Sequence, residues 1–156
     1  MDDPRTCVVA AYTLGWFPVE GRAHVDALLT AAADPDAGVA ATAIVALGLL
    51  SGPVPEAVLI DDRGLVRWAA AVALARTRGL EAGPEVVAEL TRWATGDQAE
   101  DERMPYLDGD LRGYASLALE QSAGPDAFGL LLTALGKSSG IQALNGADVA
   151  LADGLP

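Results

Sequence analysis

Apolar positions along the chain fall into two alternating kinds of segment, both at helical rather than strand spacing. In the first kind nearly every position is apolar and small. Val39-Ala40-Ala41-Thr42-Ala43-Ile44-Val45-Ala46-Leu47 and Val66-Arg67-Trp68-Ala69-Ala70-Ala71-Val72-Ala73-Leu74 superpose without a gap. Leu111 to Leu119 is a third copy, and Thr6 to Leu14 is a weaker copy at the front, where Leu14-Gly15 mirrors Leu47-Gly48. The copies start 33, 27 and 45 residues apart, an average that suits a unit of two short helices. In the second kind the apolar residues form one stripe at i, i+3, i+4, i+7. The stripes are Val25, Leu28, Leu29 and Ala32 in 22–33, Val86, Val87, Leu90, Trp93 and Ala94 in 84–95, and Phe128, Leu131, Leu132 and Leu135 in 125–136. The pattern predicts inner helices buried nearly all round, each paired with an amphipathic outer helix. Small residues on the inner helices let their axes approach closely.

The punctuation agrees. Pro55, Pro84 and Pro125 stand near helix starts, where a missing N–H costs nothing. Asp34, Asp36, Asp61 and Asp108 or Asp110 precede inner helices as N-cap candidates, and Ser51-Gly52-Pro53 and Gly79 to Gly83 end them. Pro55 to Ile60 is too short for a full outer helix, so the third unit is degenerate. The longest connection, 96–109, holds Asp97, Glu100, Asp101, Glu102 and Asp108 and is expected to be an acidic, mobile loop. With no domain boundary in view, residues 1–156 read as one all-α domain of about four helical-pair units without β-sheet.

Asp34-Pro35-Asp36 leading into Val39 to Gly48, and Asp61-Asp62 leading into Val66-Arg67 to Leu74, resemble the Asp-Pro-x-x-x-Val-Arg-x-x-Ala-Ala-x-Ala-Leu-Gly signature of HEAT repeats. The short bacterial class of phycobilisome-lyase-type proteins is the nearest in flavour. The resemblance runs over essentially the whole chain and encodes packing rather than chemistry. It implies a short α-α superhelical solenoid of the HEAT/armadillo kind. It also implies a ladder between neighbouring repeats, built from the inner-helix arginine and the preceding aspartate. Only Arg67 and Arg112 match the arginine position, while Cys7 and Ala40 depart from it, so the implied ladder is partial.

Composition narrows the function. The chain carries 10 Lys and Arg against 22 Asp and Glu, a net charge of −12, and Lys137 is its single lysine. Phosphate binding needs clustered cations, so nucleic acid and anionic membranes are not expected partners. Hydrophobic residues make up 51% and mean hydropathy is +0.28, too apolar for disorder. The longest nearly unbroken apolar run, Val39 to Leu50, is nonetheless well short of the roughly 20 residues of a spanning helix. One cysteine excludes an internal disulfide framework, and Met1-Asp2-Asp3-Pro4-Arg5 lacks the layout of a signal peptide. The expected compartment is the cytoplasm.

No catalytic, cofactor or metal constellation stands out. His24 has no second histidine at ligand spacing, and Cys7 lies among Val8, Val9 and Ala10 with nothing nearby to activate a thiol. No serine sits in a nucleophile elbow, and Gly136-Lys137-Ser138 lacks the strand and glycine spacing of a phosphate loop. Asp108-Gly109-Asp110 opens like a calcium loop. Arg112 then falls where an oxygen ligand is needed, and Leu119 where the bidentate glutamate should be.

The candidates left are binding residues. Arg67 and Arg112 either grip a carboxylate-rich partner from the concave face or belong to the inter-repeat ladder. Trp16, Trp68, Trp93 and Tyr114 serve either as interface anchors or as core. The first inner helix has no outer helix before it, and 141–151 holds at most one short helix. The chain thus reads as part of a longer array, or as a protein that self-associates with Trp16 and Phe17 near the contact. The expected function is a non-catalytic scaffold or protein-interaction module. The alternative is a bilin-lyase-like or other enzyme-associated repeat protein.

Overall fold

The helical spacing of the apolar positions is realised throughout the computed structural model, which describes residues 3–17, 22–97, 104–106 and 111–137. Among these residues there are seven α-helices, three short 3-10 helices and no strand. The α-helices are α1 (Pro4–Trp16), α2 (Ala23–Ala31), α3 (Ala37–Leu49), α4 (Gly64–Arg78), α5 (Pro84–Thr95), α6 (Leu111–Ala123) and α7 (Ala127–Leu135). The 3-10 helices span Glu56–Ile60, Gly79–Glu81 and Gly124–Asp126. Most of the 96–109 connection, the Asp108 and Asp110 caps and the 141–151 segment lie outside the described residues.

The four apolar copies fall in α1, α3, α4 and α6, which pack in that order, each on the next. The stripe segments form α2 on α3, α5 on α4 and α6, and α7 on α6 and α5. Burial separates the two kinds. On α3 every residue from Val39 to Ile44 is buried, and on α4 so is every residue from Trp68 to Ala71. On α5 the buried residues are Val86, Glu89, Leu90, Trp93 and Ala94, one stripe. The stripe expected on α7 is rotated. Phe128 and Leu132 are 41% and 48% exposed, and the helix instead buries Ala127, Leu131 and Ala134. Two alanines on that face let α7 lie close against its neighbours, which bulkier residues would prevent.

One contact recurs. A Cβ on Gly48 would stand 2.7 Å from Ala73 Cβ and 2.9 Å from Ala73 Cα, so α3 and α4 nearly touch backbone to backbone. A Cβ on Gly15 would stand 3.0 Å from Ala46 Cβ and 3.1 Å from Ala46 Cα, the equivalent pair one copy earlier. The Leu-Gly dipeptide that closes an apolar helix is therefore a spacer that sets how near the next helix comes.

Helix starts follow local chemistry only in part. Asp36 caps α3 by accepting a hydrogen bond from the Val39 N–H at 3.0 Å. Pro84 opens α5 after Gly83, whose φ of 92° favours glycine. At α4 the capping expectation for Asp61 is corrected, because the residue at the N-cap is Arg63, which caps nothing with its side chain. Asp61 accepts from the Arg63 N–H at 2.9 Å, as Asp34 accepts from the Asp36 N–H at 2.8 Å. The same turn thus precedes both helices, with arginine replacing aspartate at the cap.

Gly48→Ala tests the spacer role. Helix propensity alone favours alanine in a helix by about 1 kcal/mol. The contact with Ala73 should reverse that sign and cost about 1–3 kcal/mol in denaturant unfolding. Gly129→Ala on α7, where a new Cβ meets nothing within 4 Å, should stabilise by up to about 1 kcal/mol. Equal effects at the two positions would refute the close packing of α3 and α4.

Candidate functional site

Arginines and carboxylates at the start of α4 form a continuous polar network. Arg63 pairs with Asp61 through two side-chain hydrogen bonds of 2.9 Å, from Nε to Oδ1 and from Nη2 to Oδ2. Its Nη1 reaches back to the carbonyl oxygens of Asp34 at 2.7 Å and Pro35 at 3.2 Å. The hydrogen bond from Arg63 holds the Asp61 carboxyl down at about 2, against an ordinary 3.8, with desolvation opposing. Arg67, one turn on, donates to the carbonyl oxygens of Asp61 at 2.7 Å and Asp62 at 3.1 Å, and its Nε donates to Glu89 Oε1 at 3.3 Å. Glu89 on α5 is only 5% exposed, a burial that an ionised carboxylate tolerates only with partners. It also accepts from Trp93 Nε1 at 3.0 Å and Arg92 Nη2 at 2.6 Å.

The two arginines singled out by the sequence therefore occupy structural places. Arg67 is half-buried and ties α4 to α5. Arg112, at the start of α6, is 2% exposed and donates to the Ala94 carbonyl oxygen at 3.2 Å. Its expected grip on a partner from an open face is corrected, because burial withholds the guanidinium from any such face. The tie between successive turns runs through Arg63 and backbone carbonyls, a connection that periodicity does not reveal. Its one sequence signal was the alignment of Asp61-Asp62-Arg63 with Asp34-Pro35-Asp36.

The aromatic candidates divide. Trp68 and Trp93 are core residues, edge to face at 6.4 Å, and the Trp68 indole N–H donates to the Leu111 carbonyl oxygen at 3.1 Å. Trp16 and Phe17, at the end of α1, are 55% and 73% exposed. Trp16 lines a pocket of about 120 Å³ with Tyr12 from the same helix, Thr42, Val45 and Leu49 from α3, Arg76 from α4 and Tyr114 from α6. Met104 and Pro105 wall one side. Next to them Tyr106 stacks on Tyr12 at 4.5 Å, its backbone at a φ of 65° that a bulky residue rarely adopts. Val45, expected in the core, is half-buried here as a pocket wall.

This pocket combines rigid aromatic surface with a cation at its rim. Thr42 Oγ1 donates to the Gly38 carbonyl oxygen at 2.6 Å, so the hydroxyl proton is engaged within α3. Arg76 is exposed and has no hydrogen bond or ion pair among the described residues. It is a pocket-rim residue that sequence reading did not single out, since one arginine in a last helical turn is read as a favourable helix terminus. Among the described residues no group of three His, Cys, Asp or Glu could hold a metal ion, and no helix is long and apolar enough to cross a membrane. Cys7 and His24 are half-buried on α1 and α2.

The Asp61–Arg63 clamp has a definite pH signature. A carboxyl whose folded-state value lies below its unfolded value stabilises the fold above the unfolded value, and that contribution is lost as pH falls through the folded one. For Asp61 the window runs from 3.8 down to about 2. Because the pair is partly solvated, its contribution should be on the order of 1 kcal/mol. Asp61→Asn should lose that amount at neutral pH in urea unfolding, and wild type and variant should converge as pH falls through the window. A gap that persists undiminished below the window would assign the stabilisation to something other than the charge.

No protein-family model, curated protein or solved structure matches this chain, so the character of the site is carried by its own geometry.

Proposed function

We propose that the chain is a non-catalytic protein-interaction module of the HEAT-like helical-repeat kind, working in the cytoplasm. The module takes hold of an apolar or aromatic side chain of a partner protein that carries a neighbouring carboxylate. The observation that carries this reading is the pocket between α1, α3, α4 and α6, with Tyr12, Trp16 and Tyr114 as its aromatic walls and Arg76 at its rim. Tyrosine, tryptophan and arginine are the residue types that anchor protein interfaces, because they bury large areas at low entropic cost. An arginine without an internal partner gains most from an anionic group on the ligand. The repeat reading is supported by the order of packing, α1 on α3 on α4 on α6, by the recurring Gly15–Ala46 and Gly48–Ala73 contacts, and by the matched turns before α3 and α4. A second copy of the chain is the second reading of the partner, favoured by the exposure of Val9, Trp16 and Phe17 along α1.

A photo-crosslinking side chain placed at Trp16 should capture a discrete partner from native extract, and one at Thr30 on the exposed side of α2 should not. Adding Arg76→Glu should lower the Trp16 yield about tenfold. Labelling that is equal at both positions, or indifferent to Arg76→Glu, would sink the pocket as the binding site. Sedimentation of the purified protein separates the second reading. Concentration-dependent dimerisation abolished by Phe17→Ser identifies the partner as a second copy, whereas a monomer at micromolar concentration excludes it.

A further inference from the structure

The layer formed by α2, α5 and α7 has a gap. Helix α3 is accompanied by α2, α4 by α5, and α6 by α5 and α7, but the segment before α4 supplies only the five-residue 3-10 helix Glu56–Ile60. Where that segment falls short, a cleft of about 630 Å³ opens between Glu56–Ile60, α4 and the first turns of α5. Its size lies within the roughly 300–1,000 Å³ of clefts that hold ligands. The floor is apolar, made by Leu59, Ile60, Leu74, Ala82 and Ala88, and Ile60 is 84% exposed. An isoleucine so placed gains nothing from the fold and would gain from a covering partner.

The charge of the cleft is negative in balance. Four carboxylates line it, Glu56, Glu81, Glu85 and Glu89, against two guanidiniums, Arg78 and Arg92. Both guanidiniums are engaged, Arg78 with Glu56 at 2.5 Å and Arg92 with Glu89 at 2.6 Å. Glu81 and Glu85 have no cationic partner among the described residues. The first turn of α5 accounts for Glu85 as a complement to the helix dipole. It does not account for Glu81, nor for the open apolar floor beneath both.

We propose that this cleft docks a short amphipathic helix of a partner protein, presenting aliphatic side chains flanked by lysine or arginine. Three features favour that occupant. The space lies beside α4 where a fuller outer segment would pack, so its apolar floor suits a helix. The carboxylates without cationic partners at the rim complement cations, and the net charge of −12 draws a cationic segment in and repels an anionic one. The chain's own residues 138–156 contain no lysine or arginine, so they lack the complementary charge. No residue of the cleft belongs to the aromatic pocket, so this site stands or falls separately from the proposed function.

The probe is a fluorescently labelled synthetic helix with Leu at i, i+3, i+4 and i+7 and Lys elsewhere, titrated with the full chain and read by anisotropy. Its counterpart with Glu for Lys is the charge control. Glu81→Lys with Glu85→Lys should weaken binding of the lysine helix about tenfold or more. Asp26→Lys with Asp126→Lys, the same charge change on exposed positions elsewhere, should weaken it about twofold or less. Ile60→Ser should weaken it about threefold, and Trp16→Ser should leave it unchanged. All these positions are exposed, and circular dichroism checks that each variant keeps its helix content. Equal losses from the two charge-reversed doubles would reduce the effect to general attraction toward an acidic protein. That outcome, or indifference to Ile60→Ser, or equal binding of the glutamate helix, would overturn the proposal.

Discussion

The near-contact of α3 and α4 at Gly48 and Ala73 is the constraint from which most of the structure follows. Two helices brought this close exclude solvent from their shared seam, so the residues at the closest approach must be small and apolar. Alanine is a good helix former with no side-chain entropy to lose, and it satisfies both requirements at once. The exception shows the cost of that design. Trp68 sits fully buried with Trp93 and Tyr114 edge-on to it, and its indole N–H is satisfied by the Leu111 carbonyl oxygen in the first turn of α6. A tryptophan thus supplies the volume that alanines cannot, and its polar atom meets the next helix of the row.

A core built on alanine leaves polar ties to hold the less regular edges. Arg63 joins the turn before α4 to the turn before α3, Arg67 and Glu89 join α4 to α5, and Arg112 joins α6 to the end of α5. Arg63 and Arg67 each use the planar guanidinium to satisfy several acceptors from one side chain, which a lysine would not do. The consequence reaches the surface. With Arg78 and Arg92 also paired to carboxylates, much of a small supply of cations is spent within the fold. The strongly acidic exterior is therefore partly a result of where the arginines went, and Arg76 at the aromatic pocket differs from them in meeting solvent unpaired.

Legibility differed sharply between architecture and site. Helix positions were readable because the period of apolar residues is a local property of the chain. Residues 84–95 gave α5, 39–47 lie within α3, and the brevity of Pro55 to Ile60 became the 3-10 helix that leaves the cleft beside α4. Errors began where an all-apolar helix gives no sign of direction. On α3 nothing local distinguishes Ile44, wholly enclosed, from Val45, a pocket wall. Among the aromatics, Trp68 and Trp16 follow similar apolar patterns, yet the first is sealed between helices and the second ends α1 at 55% exposure.

The sequence by itself determined an all-helical chain with alternating broad and narrow apolar faces, small residues on the inner helices that let them approach closely, and a strongly acidic net charge. All of these depend on composition and on intervals of a few residues, which local physics converts directly into structure. Only the tertiary structure decided the fate of each arginine and tryptophan. Whether Arg67 faces Glu89 or a partner depends on where α5 lies, 22 residues further along the chain. Whether Arg112 is open or sealed depends on the end of α5. Such placements are set by contacts between distant segments, and no periodicity within a single helix records them.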